Sequence, residues 1–325
     1  MFYLGVDVSK KNLDCMLLDS TTGKVKSKSI PNTNAGFRQL LEWLAKNKAP
    51  NANVVMEPTG VYHEPAALAL TDAGLMLSLV NPAQLRQFAQ GLGVKTKTDK
   101  ADSTVLARYG ATQQPRAWQP PSKSARRLKA LLARRDAVAD DLQRERNRQE
   151  AIDFGQSPEE VKKSIAQSIA FLDAELQRLE QMIEEHIDSD PDLRNKKDLL
   201  ETVPGVGERV SSNLTALFAA KTFNSAEQLA AYLGLVPVQW ESGSSVRGRP
   251  RMSKAGPAQL RKLLYMPAVV ARRWNPHIKA FGDRLLAKGK TKMAVIGACM
   301  RKLAHLCFGV VHTGKPYDPN YALQA

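Results

Sequence analysis

Apolar and polar residues in the first 112 positions change repeatedly between the period of a strand and the period of a helix. The predicted strands are Phe2–Val8, Leu13–Asp19, Lys24–Ile30, Asn53–Met56 and Leu75–Val80. The predicted helices run from the cap Asn34 to about Lys46, near Glu64–Asp72, from Pro82 onward, and from Asp99 to about Ala111. Three consecutive strands followed by helix, strand, helix, strand and helix is the order of an RNase H-like domain, so the sequence predicts an α/β fold of that class.

Long helices dominate the next part of the chain. Residues 115–122 are proline-rich and predict an extended connector, and two helices are expected near Ser124–Glu150 and Pro158–Ile187. The second helix carries a heptad seam, with apolar residues alternately four and three positions apart: Ile165, Ile169, Leu172, Leu176, Leu179 and Ile183. This coiled-coil pattern fits both an antiparallel hairpin within one chain and a contact between two chains, and the sequence leaves the two open.

The last part of the chain is predicted to be mainly α-helical. A Gly-Val-Gly turn within Leu199–Ala216 resembles a helix-hairpin-helix, whose backbone N–H groups suit a DNA phosphate. Further elements are helices near Ala226–Leu233, Pro257–Arg273 and Lys292–Val311, and a polar, glycine-rich loop at Glu241–Gly256. We therefore expect three regions: an α/β domain over residues 1–122, a helical coiled-coil segment over 123–190, and a mainly α-helical domain over 191–325.

The net charge of +15 is unevenly distributed along the chain. Residues 151–190 carry a net charge of −7, whereas residues 191–325 carry +13. Within residues 242–302, 15 basic side chains accompany a single acid, Asp283. A short basic run is usually a solvated face, but a stretch of this length would repel itself unless phosphates neutralised it. The charge pattern therefore indicates a nucleic-acid partner.

Cysteine spacing and hydropathy indicate the cellular compartment in which the protein is expected. The three cysteines, Cys15, Cys299 and Cys307, match no disulfide or metal-binding spacing and are expected in the core of a cytoplasmic protein. The first residues show no long apolar region followed by a small-residue cleavage site, so secretion is not expected, and no apolar run approaches the roughly 20 residues that span a bilayer. We therefore expect no membrane association.

Four carboxylates occupy positions that suggest a common site. Asp7 lies in the first predicted strand, Glu57 follows a short apolar strand, and Asp99 and Asp102 share one face of a helix. Neighbouring strands of an RNase H-like sheet would bring Asp7 beside Glu57, with the helix packed across that edge. Each acid alone fits a cap or a surface charge. Together they predict a site for Mg²⁺ or Mn²⁺ that could act on a phosphodiester.

The glycine-rich loop 241–256, ESGSSVRGRPRMSKAG, combines several serines with four cations: Arg247, Arg249, Arg251 and Lys254. Such a loop could bind phosphates passively, or it could present a nucleophilic serine while its cations hold the attacked phosphate. The five histidines are scattered along the chain, so the sequence does not support a Ser–His–Asp triad. The residues alone leave both interpretations open.

Several motifs resemble those of the DEDD-type insertion-sequence transposases, also called bridge-RNA-guided recombinases: GVDVSK, MEPTG, KTDKAD, PGVG, AYLGLVP, ESGSSVRGRPRMSKAG and MRKLAHLCFGVV. The resemblance covers nearly the whole chain, and its serine-loop motif is highly specific. By position, the catalytic, metal-binding acids of the family fall on Asp7, Glu57, Asp99 and Asp102, and its catalytic serine falls on Ser242. The resemblance implies a RuvC-like N-terminal domain and a C-terminal transposase domain.

The resemblance also implies a mechanism and partners. The serine would attack a DNA phosphodiester with the help of the metal site, giving a phosphoserine link and strand exchange between double-stranded donor and target DNA. A structured non-coding guide RNA, the bridge RNA, would select both DNAs by base pairing, and the protein would act as a tetramer in the cytoplasm. The alternatives are a metal-dependent, Holliday-junction-type endonuclease without a covalent intermediate, and a non-catalytic RNA-binding scaffold.

Overall fold

The computed structural model describes residues 1–93, 98–155, 157–239, 241–242, 246–247 and 250–321, and gives only the backbone of residues 99, 100, 241, 242, 246 and 247. The chain folds into two compact units, Met1–Pro120 and Pro121–Ala325. The finer division of residues 123–190 from residues 191–325 stays a prediction.

A five-stranded mixed sheet organises the first unit. Its strands are β1 (Phe2–Val8), β2 (Asn12–Asp19), β3 (Val25–Pro31), β4 (Asn53–Met56) and β5 (Leu77–Leu79). The order across the sheet is β3-β2-β1-β4-β5. The first three strands form an antiparallel meander, and β4 and β5 are added parallel to β1. This order agrees with the predicted RNase H-like one, although β5 is shorter than the predicted Leu75–Val80.

Helices cover both faces of this sheet. They are α1 (Asn34–Lys46), α2 (Glu64–Asp72), α3 (Pro82–Gly91) and α4 (Asp99–Gln113). Successive side chains of a strand point to opposite faces, so each strand contributes to two cores. Leu4 and Val6 of β1 pack with Leu40 of α1 in one core. Val55 of β4 packs with Leu106 of α4 in the other.

Threonine side chains fix where two of these helices begin. The hydroxyl of Thr33 accepts a hydrogen bond of 3.2 Å from the backbone N–H three residues later, so Thr33 caps α1 and the prediction of Asn34 as the cap was wrong. The hydroxyl of Thr98 makes the same contact, also at 3.2 Å, at the start of α4. Asp99, for which a capping role was one interpretation, is therefore the first residue inside α4.

The second unit is mostly helical, as predicted. Its helices are α5 (Lys123–Phe154), α6 (Glu159–Asp188), α7 (Pro191–Glu201), α8 (Glu208–Ala220), α9 (Ala226–Tyr232), α10 (Ala258–Leu263), α11 (Tyr265–Trp274), α12 (Pro276–Ala287) and α13 (Lys292–Thr313). The single helix predicted over Pro257–Arg273 was wrong, because the chain forms α10 and α11 instead. Pro267 has no N–H to bond the carbonyl four residues earlier, which accounts for the interruption. The sequence analysis also missed α12.

Four short strands lie in and around the segment predicted as a loop over Glu241–Gly256. They are β6 (Pro237–Val238), β7 (Glu241–Ser242), β8 (Val246–Arg247) and β9 (Arg251–Met252). β6 pairs with β9, and β7 pairs with β8, both antiparallel. The two pairings are therefore nested, since β7 and β8 lie between β6 and β9 in the chain. Ladders of two residue pairs are too short to leave an alternating pattern in the sequence, which explains why they were not predicted.

α5 and α6 pack against each other within one chain. Ser124 contacts His186 and Arg146 pairs with Asp173 at 2.9 Å, so the two helices run in opposite directions. The buried residues of the predicted seam are Leu179 and Ile183, and the half-buried ones are Ile165, Ile169, Leu172 and Leu176. A contact of this seam with a second chain stays a prediction.

The core of the second unit surrounds α13. The buried residues of this helix are Val295, Cys299, Met300, Leu303, Ala304, Cys307 and Val310. By length and composition α13 could cross a membrane, which differs from the expectation that no apolar run would reach that length. A helix at the centre of a core meets the same criterion. Cys15, Cys299 and Cys307 are free and buried, as predicted.

Candidate active site

The two acids predicted on strands lie at the same edge of the sheet. β1 and β4 run parallel with Val6 opposite Met56, and the residues that follow are Asp7 and Glu57. Paired residues of neighbouring strands point to the same face, and these two belong to the face on which Val55 packs against α4. Both acids are half-buried, and each has an interaction partner within the fold.

α4 approaches the sheet closely at Gly5 of β1. A Cβ atom added to Gly5 would lie 2.0 Å from the backbone oxygen of Ser103. Further along the helix, a Cβ atom added to Gly110 would lie 3.1 Å from the ring of Tyr3. α4 therefore runs antiparallel to β1, because Ser103 lies beside Gly5 and the later residue Gly110 lies beside the earlier residue Tyr3. The first turn of α4 consequently points toward Asp7.

This first turn carries the other two predicted acids. Asp7 lies about 6.6 Å beyond Gly5 along the strand, and Asp99 lies about 6 Å before Ser103 along the helix. The backbone of Asp99 is therefore about level with Asp7. Asp102 lies within the same turn and is half-buried. The structure thus brings the backbone positions of all four acids to one edge of the first unit.

The chemistry of this edge suits a hard cation, although the described side chains do not by themselves complete a site. Carboxylate oxygens are the donors that Mg²⁺ and Mn²⁺ prefer. The side chain of Asp99 lies outside the described residues. Among the side chains that are described, no group of three or more His, Cys, Asp or Glu residues is arranged to hold a metal ion.

Asp14 is a further carboxylate on this face, and the sequence analysis did not single it out. β1 and β2 are joined by a tight turn in which Ser9 N–H donates to the carbonyl of Asn12 at 2.9 Å. The turn sets the pairing so that Asp14 lies directly opposite Asp7. Like charges in this arrangement disfavour the sheet unless a cation or a basic group lies near them. The apolar residues on either side of Asp14, Leu13 and Cys15, are buried, and this local alternation was the signal that could have revealed it.

The predicted serine lies in the second unit, on a narrow antiparallel arm. We call the four strands β6, β7, β8 and β9 the serine arm. Ser242 lies in β7, opposite Val246 of β8. The side chains of Ser242 and Arg247 and the whole of Arg249 lie outside the described residues. The remaining predicted cations, Arg251 and Lys254, are exposed, as phosphate contacts must be.

Close backbone contacts anchor the base of the serine arm. Gly256 has a φ of +95°, and a Cβ atom there would lie 1.9 Å from the carbonyl oxygen of Tyr232. Gly234 has a φ of +71°, and a Cβ atom there would lie 2.2 Å from the carbonyl oxygen of Ala255. Only glycine combines this backbone conformation with such close approach. Close backbone contacts therefore bring the two ends of the arm together.

Arg261 adds a side-chain contact at the same place, and the sequence analysis missed it. Its Nη1 donates to the carbonyl oxygen of Leu233 at 3.2 Å, at the end of α9. A guanidinium group there satisfies a terminal helix carbonyl and complements the negative end of the helix dipole. Met252 of the arm packs closely on α13, since a Cβ atom added to Gly297 of that helix would lie 3.0 Å from the Cε of Met252.

A serine, a histidine and an aspartate do meet elsewhere, but in the wrong order for a triad. The Ser124 hydroxyl lies 3.3 Å from Nε2 of His186, and a hydrogen bond from Ser124 lowers the pKa of Asp190. Asp190 thus contacts the serine instead of orienting the histidine. His186 also contacts the carbonyl of Ser124 at 2.9 Å. The group joins the start of α5, the end of α6 and the start of α7. It is therefore a structural contact between helices.

Cysteine is also excluded as a nucleophile. Burial raises the pKa of Cys307 to about 12, so its thiol stays protonated at neutral pH. Burial likewise raises the pKa of Cys15 far above its usual range and raises the pKa of Cys299.

Comparison with known proteins identifies the family. A family model for the DEDD transposases of IS110, described as a transposase, matches residues 4–152, and one described as the transposase IS116/IS110/IS902 family matches residues 197–283. The pilin gene-inverting protein of Moraxella bovis is 33% identical over 320 residues, which cover 97% of this chain and 97% of that protein. The pilin gene-inverting protein of Moraxella lacunata matches with the same identity and coverage.

Among solved structures, T. thermophilus RuvC in complex with a Holliday junction substrate covers 35% of this chain and 96% of its own, at 16% identity and a TM-score of 0.26. A TM-score this low does not establish a shared fold. The family assignment depends instead on the two family models and on the full-length similarity to the pilin gene-inverting proteins. The chain belongs to the IS116/IS110/IS902 family of transposases and is a DNA transposase or recombinase.

Proposed function

We propose that this enzyme is an RNA-guided DNA recombinase of an insertion sequence, which exchanges strands between a donor and a target duplex. The observation that carries the proposal is the pairing of β1 with β4, which makes Asp7 and Glu57 neighbours below the first turn of α4. The similarity to proteins named for inverting a pilin gene supports recombination rather than simple hydrolysis, because inversion rejoins every strand that it cuts.

The four acids form the first part of the proposed site. Asp7, Glu57, Asp99 and Asp102 would hold Mg²⁺ or Mn²⁺ at the edge of the sheet. When bound, such a cation neutralises charge on the attacked phosphate and favours the deprotonated form of a nucleophilic hydroxyl. The acids would be both metal ligands and catalytic residues, because each one would help to position the cation at the reacting phosphate.

Ser242 forms the second part as the nucleophile. Its Oγ bonds to the phosphorus of a DNA phosphodiester while the bond from phosphorus to one deoxyribose oxygen breaks. That oxygen leaves as a free hydroxyl and takes up one proton, which balances the proton lost by the serine. The phosphoserine link conserves the energy of the broken bond, so a hydroxyl of the other duplex can reverse the step and join the strands.

Cations and a guide RNA would supply binding and sequence choice. Arg247, Arg249, Arg251 and Lys254 would contact phosphates around the serine, and the wider basic surface would hold RNA and duplex DNA through their backbones. A structured bridge RNA would then select donor and target by base pairing. We propose a homotetramer in the cytoplasm, in which the acids of one subunit act with the serine of another.

The first test is a search for the covalent intermediate. Wild-type protein with guide RNA and end-labelled duplexes is denatured during the reaction, and labelled protein is separated from free DNA. We expect DNA attached to Ser242, no attachment in Ser242→Ala, and full attachment in the matched controls Ser244→Ala and Ser245→Ala. Nicks with free ends in Ser242→Ala, together with no adduct in wild type, would instead establish a metal-dependent nuclease.

The acids are tested in the same assay. Asp7→Asn and Glu57→Gln keep the size of each side chain but remove a charged ligand, so we expect folded protein that binds DNA and forms no adduct. Excess EDTA should have the same effect on wild type, and added Mg²⁺ or Mn²⁺ should reverse it. Undiminished adduct formation in EDTA would exclude the metal site and leave the serine assignment intact.

A further inference from the structure

An exposed apolar stripe covers the outward face of α11. Met266, Val270 and Trp274 follow each other at four-residue intervals and are 60%, 42% and 66% exposed. Residues four apart on a helix share one face. On the opposite face, Ala268 and Ala271 are fully buried in the core of the second unit. The exposed stripe is therefore an additional apolar surface and not a part of the core that is left incompletely covered.

Trp274 stands on a rigid corner of the fold. The next residue, Asn275, is fully buried, and its side-chain oxygen accepts hydrogen bonds from the backbone of Ile278 at 3.2 Å and from the hydroxyl of Tyr317 at 2.9 Å. His277 contacts the same tyrosine hydroxyl at 2.6 Å. These bonds fix the backbone at the junction of α11 with α12, from which the exposed indole projects. Large rigid aromatic groups displayed in this way are typical of binding surfaces.

The chain segment that contains the stripe is strongly basic. Asp283 is the single acid among residues 242–302, and it pairs with Arg272 at 3.1 Å. Arg273 makes no ion pair in the described part of the chain, and its guanidinium lies 5.1 Å from the centre of the Trp274 ring. An aromatic ring beside an unpaired arginine fits a nucleic-acid strand, whose bases stack on aromatic rings and whose phosphates attract cations.

A second exposed aromatic residue in this unit lacks that complementarity. Phe171 of α6 is 68% exposed, about as much as Trp274, but residues 151–190 carry a net charge of −7. An acidic surface repels a polyanion. Exposure of an aromatic ring therefore does not distinguish the two positions, whereas the net charge of the chain segment that carries each ring does.

We propose that the α11 stripe binds unpaired DNA, with a base stacked on Trp274 and the adjacent phosphate held by Arg273. Strand exchange separates base pairs at the crossover, so the enzyme must stabilise bases that have lost their partners. The inference rests on the proposed exchange of DNA strands but not on Ser242 or on the metal site. It can therefore fail while both of these assignments hold.

The test uses the full-length chain and a thymidine oligodeoxynucleotide of about 15 residues, within the range bound by single-strand-binding proteins, with one 2-aminopurine as a stacking probe. Wild-type protein should quench the probe on binding. Trp274→Ala should bind about tenfold more weakly and quench little, since stacking of one base is worth about this factor. Trp274→Phe keeps a stacking ring and should restore most of the affinity and the quenching. Phe171→Ala is the matched control and should behave as wild type.

Three further measurements make the outcome decisive. Arg273→Ala should lower the salt dependence of binding by about one phosphate contact. Duplex DNA and an RNA strand of the same sequence should lose less affinity in Trp274→Ala than the single DNA strand does. Equal binding by wild type and Trp274→Ala would overturn the proposal, and so would a loss confined to RNA. A change in oligomeric state with unaltered DNA affinity would also overturn it, by identifying the stripe as a contact between copies of the chain.

Discussion

The candidate acids and the candidate serine are positioned in two different ways. In the first unit, Asp7 lies in β1 and Glu57 directly follows β4, so the ladder of backbone hydrogen bonds between these strands sets their spacing. In the second unit, Ser242 lies on an arm of two-residue ladders, whose base is held by Gly234 and Gly256. One part of the proposed site is built on regular structure, and the other depends on a few close contacts between distant residues.

This difference suggests a division of tasks. Ligands of a small cation must be held to within a fraction of an ångström, which neighbouring strands of a sheet can achieve. A nucleophile that attacks a long, stiff duplex must first accept the substrate, and its position then depends on the close contacts at Gly234 and Gly256 that hold the base of the arm. The edge of the first unit that carries Asp7, Glu57, Asp99 and Asp102, here called the acid edge, should therefore be sensitive to changes beneath α4. The serine arm should be sensitive to changes at its base.

The largest effect is expected from Gly5→Ala. The new Cβ would lie 2.0 Å from the backbone oxygen of Ser103, and backbone cannot move aside as a flexible side chain can. α4 must shift away from β1, so we expect a loss of about 3 kcal/mol in the free energy of unfolding. The first turn of α4 shifts with it, and adduct formation should fall below detection. Urea unfolding followed by circular dichroism gives the stability, and the adduct assay gives the activity.

Gly91→Ala is the matched control in the same unit. A Cβ atom on Gly91 would meet no atom within 4 Å, and the residue has no positive φ. We expect a change within about 0.5 kcal/mol and full activity. If Gly5→Ala unfolds at the same urea concentration as Gly91→Ala, the close packing of α4 on β1 does not hold the acid edge.

The acid edge was also the part of the site that the sequence could predict. Asp7 and Glu57 stand out because each follows apolar strand residues, and the order of elements implies which strands are neighbours. Asp14 was missed because its assignment needs the pairing of β1 with β2, and the tight turn at Ser9–Asn12 sets that pairing. Local pattern thus predicted which strands would meet, but not every side chain that shares their face.

A smaller effect, confined to the serine arm, is expected from Gly256→Ala. The residue has a φ of +95°, and a Cβ atom would lie 1.9 Å from the carbonyl oxygen of Tyr232. We expect a loss of about 2 kcal/mol from backbone strain and displacement of the arm. Adduct formation should fall strongly, whereas binding of Mg²⁺ by the acid edge, measured by calorimetry, should not change.

Gly289→Ala is the matched control, because it introduces backbone strain without a steric contact. Gly289 has a φ of +74°, but a Cβ atom there would meet nothing within 4 Å. This variant should lose about 1 kcal/mol through strain alone and keep its activity. Equal loss of adduct in Gly256→Ala and Gly289→Ala would mean that general destabilisation, and not the position of the arm, limits the reaction.

The anchoring of the arm could not be predicted from the sequence for a physical reason. Gly234 and Gly256 meet only because α9 and the return of the arm come together in space, and nothing near either glycine in sequence encodes that contact. The same holds for Arg261, which the charge pattern grouped with the phosphate-binding cations of residues 242–302. In the fold its guanidinium bonds the last turn of α9. A count of charges cannot separate a cation that binds DNA from one that supports the protein.

The smallest effect is therefore expected from substitution of Arg261. Arg261→Ala removes a hydrogen bond of 3.2 Å to the carbonyl of Leu233, which should cost about 1 kcal/mol of stability and several-fold in the rate of adduct formation. Arg261→Lys should recover part of both, because lysine can reach the same carbonyl with one donor. Lys262→Ala is the matched control, since Lys262 is exposed and carries the same charge. It should weaken DNA binding in a salt-dependent way and leave stability and the saturated rate unchanged. If instead both alanine variants lose only salt-dependent affinity, Arg261 is a phosphate contact, and the arm is held by its two glycines alone.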